Sequence, residues 1–164
     1  MQSEDMYSKL ADFGRELLEK KSFGEGLPHI VSYAKEVMGA DRCSVYIYEE
    51  ENDKLWTTHS DGVKKIIVPS GKGVVGYTLR VRKPVIVNDP YSDVNFLPDV
   101  DKKTGYKTQN MISAPIFDSN REIIGVLQLL NKAKGDFDND DKRFIIFFAH
   151  YISGFLELVA KRKA

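Results

Sequence analysis

Apolar residues recur along 3–21, SEDMYSKLADFGRELLEKK, at Met6, Leu10, Phe13 and Leu17. Steps of four, three and four lay them on one stripe of a helix. The stripe suits a helix lying on its own domain as well as one pairing in a coiled coil, and both remain open. KSFGEG should interrupt it, because two closely spaced glycines stop helices. A second helix is expected over 26–38, with Leu27, Ile30, Val31, Ala34, Val37 and Met38 facing a core and His29 at the surface.

The period then changes to two. In RCSVYIYEE, Cys43, Val45 and Ile47 alternate with Ser44, Tyr46 and Tyr48, the pattern of a strand. EENDK turns the chain, LWTTHSDG returns as a second strand, and KKIIVPS supplies a short third. A glycine-rich segment, SGKGVVG, precedes a short helix in VGYTLRVR and a strand in KPVIVND. Residues 89–108 lack periodicity and carry Pro90, Pro98 and Gly105. So long an irregular stretch within a domain is usually a functional loop. NMISAPIFD and EIIGVLQLLNK read as an antiparallel pair joined by DSNR. A last helix from about Asp138 is rich in Phe144, Phe147, Phe148, Ile152, Phe155 and Leu158. Hairpins dominate and strands do not alternate with long helices, which predicts an α+β domain, an antiparallel sheet with helices grouped on one face.

Composition narrows the function classes. A chain of 164 residues is expected to form one domain, and 42% apolar with 29% charged residues is ordinary for a soluble protein. Lys and Arg number 24, as do Asp and Glu, so no global field favours nucleic acid or a membrane surface. The single cysteine, Cys43, excludes an internal disulfide and a two-thiolate metal site, and suits a reducing cytoplasm. No apolar run reaches the length of a membrane helix, and MQSEDMYSKL is no secretory signal; any membrane anchor is expected outside this chain.

Gly71, Gly73 and Gly76 have the spacing G-x-G-x-x-G of a dinucleotide site. They follow a strand and open a helix, and Asp93 lies about 20 residues on, where a ribose ligand would stand. The remaining context fails: Pro69 and Ser70 intervene, the helix is short, and no βαβ series follows. Elementary chemistry still gives these glycines a use. They bare the N–H groups of Val74 and Val75 at a helix N-terminus, a ready anion site.

Taken together, RCSVYIYEE, VPSGKGVVGYTLRVRKPVIVND, TGYKTQNMISAPI and EIIGVLQLLNK running into GDFDNDDKRF resemble a GAF domain. The resemblance covers about residues 25–160 and is to the cyclic-nucleotide-binding type of mammalian phosphodiesterases and cyanobacterial adenylyl cyclases. With the element order above, it implies a six-stranded antiparallel sheet with helices 3–21, 26–38 and 139–161 on one face. The loop 88–108 would cover a ligand pocket on the other. It divides the chain into an N-terminal signalling helix, 1–24, and the GAF domain proper, 25–164.

The resemblance also implies site residues. Asn131, Lys132, Phe137 and Asp141 match the start of the family's N-K-F-D-E motif, whose Lys and Asp pair to hold the lid shut. Here Lys142 stands in place of the final Glu, and Asp140 in place of the preceding aromatic residue. Acids at 138, 140 and 141 also suit a helix N-terminus whatever the pocket holds. Ser44 would meet the base. Asp61 would face the base edge, where a carboxylate can accept the paired N–H donors of guanine, favouring cyclic GMP over cyclic AMP. Ser60 stands where some relatives stack an aromatic ring. Val74 and Val75 would offer N–H groups to the phosphate. Leu97, Asp101, Thr104 and Thr108 would come from the lid, the two threonines on one helical face, and Gln128 from the strand opposite. No arginine partner for the phosphate is evident, although Lys107 is near.

Other chemistry is poorly supplied. His29, His59 and His150 fall on different elements with no paired cysteines, against a metal site. Cys43 sits on a core-forming strand. Free-methionine-sulfoxide reductases share the resembled fold but use several cysteines, and bilin attachment needs a cysteine that residues 89–120 lack. The expectation is therefore a non-enzymatic sensory module without a cofactor, binding a small molecule, for which the resemblance implies cyclic GMP or cyclic AMP. It would form a homodimer and signal to an output domain on the same or a partner chain, with no nucleic-acid partner and no direct membrane contact. The alternative is a ligand-free GAF domain serving as a dimerising, structural module.

Overall fold

The computed structural model describes residues 23–61 and 65–163. Helix α1, Phe23–Met38, leads into the hairpin β1, Ala40–Glu49, and β2, Lys54–Ser60. Then follow β3, Ile67–Pro69; α2, Gly73–Val81; β4, Val85–Val87; and α3, Asp99–Thr104. The chain closes with β5, Met111–Phe117; β6, Ile123–Lys132; and α4, Asn139–Lys163. The six strands form one sheet in the order β3-β2-β1-β6-β5-β4, every pair antiparallel. The long strands occupy the middle, and three-residue strands blunt both edges.

Period-two alternation sorts the residues onto two faces. Cys43 and Val45 of β1, Ile112, Ala114 and Ile116 of β5, and Leu127 and Leu129 of β6 face α1 and α4. There they meet Leu27, Ile30, Val31 and Ala34 of α1 and Ile145, Phe148 and Ile152 of α4, all at 3% exposure or less. Burying a residue of this size stabilises by roughly 1.5–3 kcal/mol, so this layer is the main source of stability. Tyr46, Val126 and Met111, from the intervening positions, face the opposite side, where α2 contributes Val74 and Val75.

Three expected boundaries shift. α1 begins at Phe23 and runs through Gly24 and Gly26, where a break was expected, with Pro28 inside it. Burial of its apolar stripe outweighs poor helix propensity and the N–H that Pro28 lacks. Within the stretch expected to be irregular, Pro90–Ser92 form a 3₁₀ turn and α3 a short helix. The third and fourth strands shorten to three residues each. The expected helix 3–21 and its Met6–Leu17 stripe lie outside the described residues.

Helix α4 starts with a reciprocal cap. Asp141 N donates to Asp138 Oδ1 at 3.0 Å, and Asp138 N donates to Asp141 Oδ2 at 2.9 Å, satisfying two first-turn donors. Among the described residues, no helix is long and apolar enough to cross a membrane.

Candidate functional site

Between the sheet's open face and the layer formed by α2, α3 and the 88–108 segment lies a cavity of about 410 Å³. Ser60, Ser44 and Gln128 on its floor belong to a polar row crossing four strands, whose fourth member, Ser113, is buried behind Gln128 and does not line the cavity. Ser60, Ser44, Gln128 and Ser113 are successive register partners on β2, β1, β6 and β5. The Ser44 and Ser60 hydroxyls lie 3.4 Å apart, and Gln128 Nε2 donates to Ser113 Oγ at 3.2 Å. Arg42 and Asp61 flank this row at one end and Tyr46, Met111 and Leu130 lie beside it, so the floor offers both polar and apolar contacts to a ligand.

One wall is the N-terminus of α2. Gly76 N makes the first i→i−4 bond, to Lys72 O at 3.2 Å, so the N–H groups of Gly73, Val74 and Val75 precede the helical ladder. No side chain caps this end. Gly73 has φ +78°, open chiefly to glycine, and a Cβ there would lie 3.2 Å from Leu97 Cδ1. A Cβ on Gly76 would fall 2.6 Å from Ser70 O. Two of the three motif glycines are therefore required by a turn and by a close backbone approach, in a hairpin-built sheet rather than a dinucleotide fold.

The lid is held by Asp101, 8% exposed. Its Oδ2 accepts Tyr91 OH at 2.6 Å and Thr108 N at 2.8 Å, and its Oδ1 accepts Thr108 Oγ1 at 2.9 Å. One carboxylate thus joins the 3₁₀ turn, α3 and the segment entering β5. Further along, the Arg42 guanidinium of β1 lies 3.7 Å from the centre of the Tyr106 ring, and Tyr106 OH donates to Asp41 Oδ2 at 2.8 Å. Burial and the Asp41 carboxylate push the Tyr106 hydroxyl's pKa well up, keeping it a donor.

Ser44, Asp61, Val74, Val75, Leu97, Asp101, Thr108 and Gln128 all line the cavity. Thr104 does not. It ends α3 and is exposed, with Oγ1 accepting Tyr106 N at 3.3 Å. Gly105, at φ +75°, reverses the chain there, so Thr104 and Thr108 share no helical face. Lys107 is exposed and lies off the cavity. Arg42, Lys72 and Lys103 line it instead, with the rings of Tyr46, Phe96 and Tyr106. Arg42 and Tyr46 stand two residues either side of Ser44, so the strand period could have found them. Phe96 and Tyr106 lie where no period exists.

Asp61 is more committed than its expected role requires. Its Oδ2 accepts Cys43 N at 2.9 Å and lies 2.9 Å from Lys35 Nζ of α1; its Oδ1 is 3.2 Å from His59 Nε2. Burial opposes its charge, but bonds from Lys35, Cys43 N and His59 hold the carboxyl below its usual pKa. The Lys132–Asp141 pair forms at 2.7 Å, with the Asp141 side chain 6% exposed. Burial pushes the Asp141 carboxyl up, opposed by the Lys132 bond and the Asp138 N–H. Neither residue lines the cavity. The pair clamps the β6–α4 connection, while the Asn131 side chain accepts Gln109 N at 2.6 Å and donates to Lys107 O at 2.9 Å. Its link to the lid therefore runs through the backbone leading into β5. Cys43, buried and beside Asp61, has its thiol pKa pushed far up, the setting of an inert core residue.

A hairpin-built sheet enclosing a ligand-sized cavity beneath short helices is the α+β architecture of a GAF-type domain. The chain belongs to the GAF domain family, whose model matches residues 23–156. It is 34% identical over 124 residues to dual 3',5'-cyclic-AMP and -GMP phosphodiesterase 11A of Takifugu rubripes, covering 66% of this chain and 14% of that protein. It is 29% identical over 136 residues to probable 3',5'-cyclic phosphodiesterase pde-5 of Caenorhabditis elegans, covering 74% and 18% respectively. The chain thus spans less than a fifth of these relatives. Among solved structures, the GAF domain of Acinetobacter phosphoenolpyruvate-protein phosphotransferase superposes with TM-score 0.82 at 19% identity, covering 99% of both chains. Free methionine-R-sulfoxide reductase from Neisseria meningitidis superposes with TM-score 0.77 at 19% identity, covering 93% of this chain and 89% of that one. At these identities the structures share the fold alone.

Proposed function

We propose that this domain is a non-enzymatic sensor that binds a cyclic nucleotide between the sheet and the 88–108 lid. The observation that carries the reading is the cavity of about 410 Å³, within the roughly 300–1,000 Å³ usual for small-molecule sites. An uncapped helix N-terminus on one wall and a polar row on its floor give that space two kinds of recognition. The phosphate sits at the N–H groups of Gly73, Val74 and Val75, where oriented amides favour an anion. The base lies over Ser44 and Gln128, with Tyr46 and Phe96 supplying the aromatic surface that Ser60 does not. Arg42 is the arginine nearest in role to a phosphate or ribose partner. Cyclic nucleotides are what the matched phosphodiesterases are named for, which supports the ligand class. Closing the lid biases the terminal helices, through which the signal reaches a second copy and an output domain.

One observation favours a ligand-free, dimerising module instead. Asp61 and Asp101 already hold three donors each within the protein. The readings separate in a thermal-shift titration, backed by mass spectrometry of the denatured, freshly purified protein. The sensor reading expects a rise in Tm with cyclic AMP or cyclic GMP that grows with ligand concentration. A Tm unmoved by millimolar amounts of either, with no nucleotide released on denaturation, leaves the ligand-free module.

A further inference from the structure

Asp61 belongs at once to the cavity wall and to the helical side of the domain. It lines the cavity, yet its carboxylate holds Lys35 of α1 at 2.9 Å. An ionised carboxylate offers about four lone-pair positions. Lys35 and Cys43 N occupy Oδ2, and His59 Nε2 occupies Oδ1. The carboxylate can only accept, so that histidine nitrogen carries the proton. One position on Oδ1 is left.

A ligand edge with one N–H donor can use that position without disturbing the others. An edge with two donors must expel one of the present three. Cys43 N is fixed by the main chain, since Asp61 N returns a bond to Cys43 O at 3.3 Å. His59 is held two residues away on β2. Lys35 has a long flexible stem and a side chain already 29% exposed, so its ammonium passes into water with the least loss. We infer that a cavity ligand presenting two donors to Asp61 displaces Lys35 and loosens α1, whereas a ligand presenting one binds with the Lys35–Asp61 tether intact. This rests on the nucleotide reading above. A guanine edge offers a ring N–H and an amino group, and an adenine edge offers an amino group beside a ring acceptor. The two cyclic nucleotides are then different signals at one site: both close the cavity, and only cyclic GMP frees the helix. By linkage, Lys35 and cyclic GMP compete for Asp61, so each weakens the other's hold.

The test combines calorimetric titration with hydrogen exchange of residues 23–38, on the wild type and Lys35→Met. The expected result is faster α1 exchange with saturating cyclic GMP and no change with cyclic AMP. Lys35→Met exchanges fast in α1 without ligand and binds cyclic GMP about two- to five-fold more tightly, the range of a partly exposed ion pair. Its affinity for cyclic AMP stays as in the wild type. Cyclic GMP binding with α1 exchange unchanged or slowed overturns the release and leaves the nucleotide reading standing. Binding of neither nucleotide overturns both. Should Lys35→Met fail to fold, the wild-type exchange comparison decides alone.

Discussion

A Cβ atom at Gly76 would sit 2.6 Å from the Ser70 carbonyl oxygen, and a carbonyl cannot swing aside as a side-chain tip can. Gly76→Ala should therefore destabilise the domain by about 1–3 kcal/mol, the range of overpacking, read as a lower urea midpoint. Lys132 poses the opposite problem. Lys132→Met keeps the aliphatic stem but leaves Asp141, 6% exposed in its side chain, without its cation. The unpaired buried carboxylate should cost about 1–3 kcal/mol, discounted for the part-exposed lysine. Thermal unfolding of Lys132→Met beside the double variant Lys132→Met with Asp141→Asn checks the cause, since the second change should restore part of the loss. Asp61 carries a pH signature. Its folded pKa lies below the ordinary value, so its stabilisation is fully present above the unfolded carboxylate pKa and fades as pH falls through the folded one. The wild type should thus exceed Asp61→Asn in stability at neutral pH and converge with it under acid, as denaturant titrations at both pH values would reveal.

Among the elements, strand periodicity was the most legible signal and the lid the least. Alternation along β1 separated Cys43 and Val45 from Ser44 and Tyr46, and the structure places those sets on opposite faces. The helix start was misjudged because glycine propensity is local, while the burial that holds α1 together comes from β1 and α4. Thr104 was misplaced for a related reason. The spacing of TGYKT suits a helix, but Gly105 in the left-handed region ends α3 between the two threonines. Nor did the sequence reveal that Asp101 ties Tyr91 to Thr108, since a hydrogen-bonded knot among three loop residues has no period. Asp101→Ala would orphan the Thr108 N–H and hydroxyl, buried at 2% exposure, and release the 3₁₀ turn. Limited proteolysis should then cut within residues 89–107 much faster than in the wild type, with the rest of the domain protected. Equal cleavage rates would show that the lid is held elsewhere.

At the scale of the whole molecule, the curved sheet separates two tasks. One face, packed by α1 and α4, is apolar and holds the larger buried core. The other gives up part of its packing to a cavity, a floor of serines and a glutamine, and an uncapped helix end. Membership of the GAF family and this division between faces lead to the same reading, a domain whose stability resides on one side and whose recognition resides on the other. Isothermal titration of cyclic AMP and cyclic GMP into the wild type and Ser44→Phe, which fills the cavity floor, tests that reading most directly. The account predicts micromolar or tighter binding of at least one nucleotide by the wild type, and at least a roughly ten-fold weaker Kd, about 1.4 kcal/mol, in a Ser44→Phe protein that remains folded. No heat from either nucleotide at millimolar concentration, or equal binding by the filled variant, would contradict it.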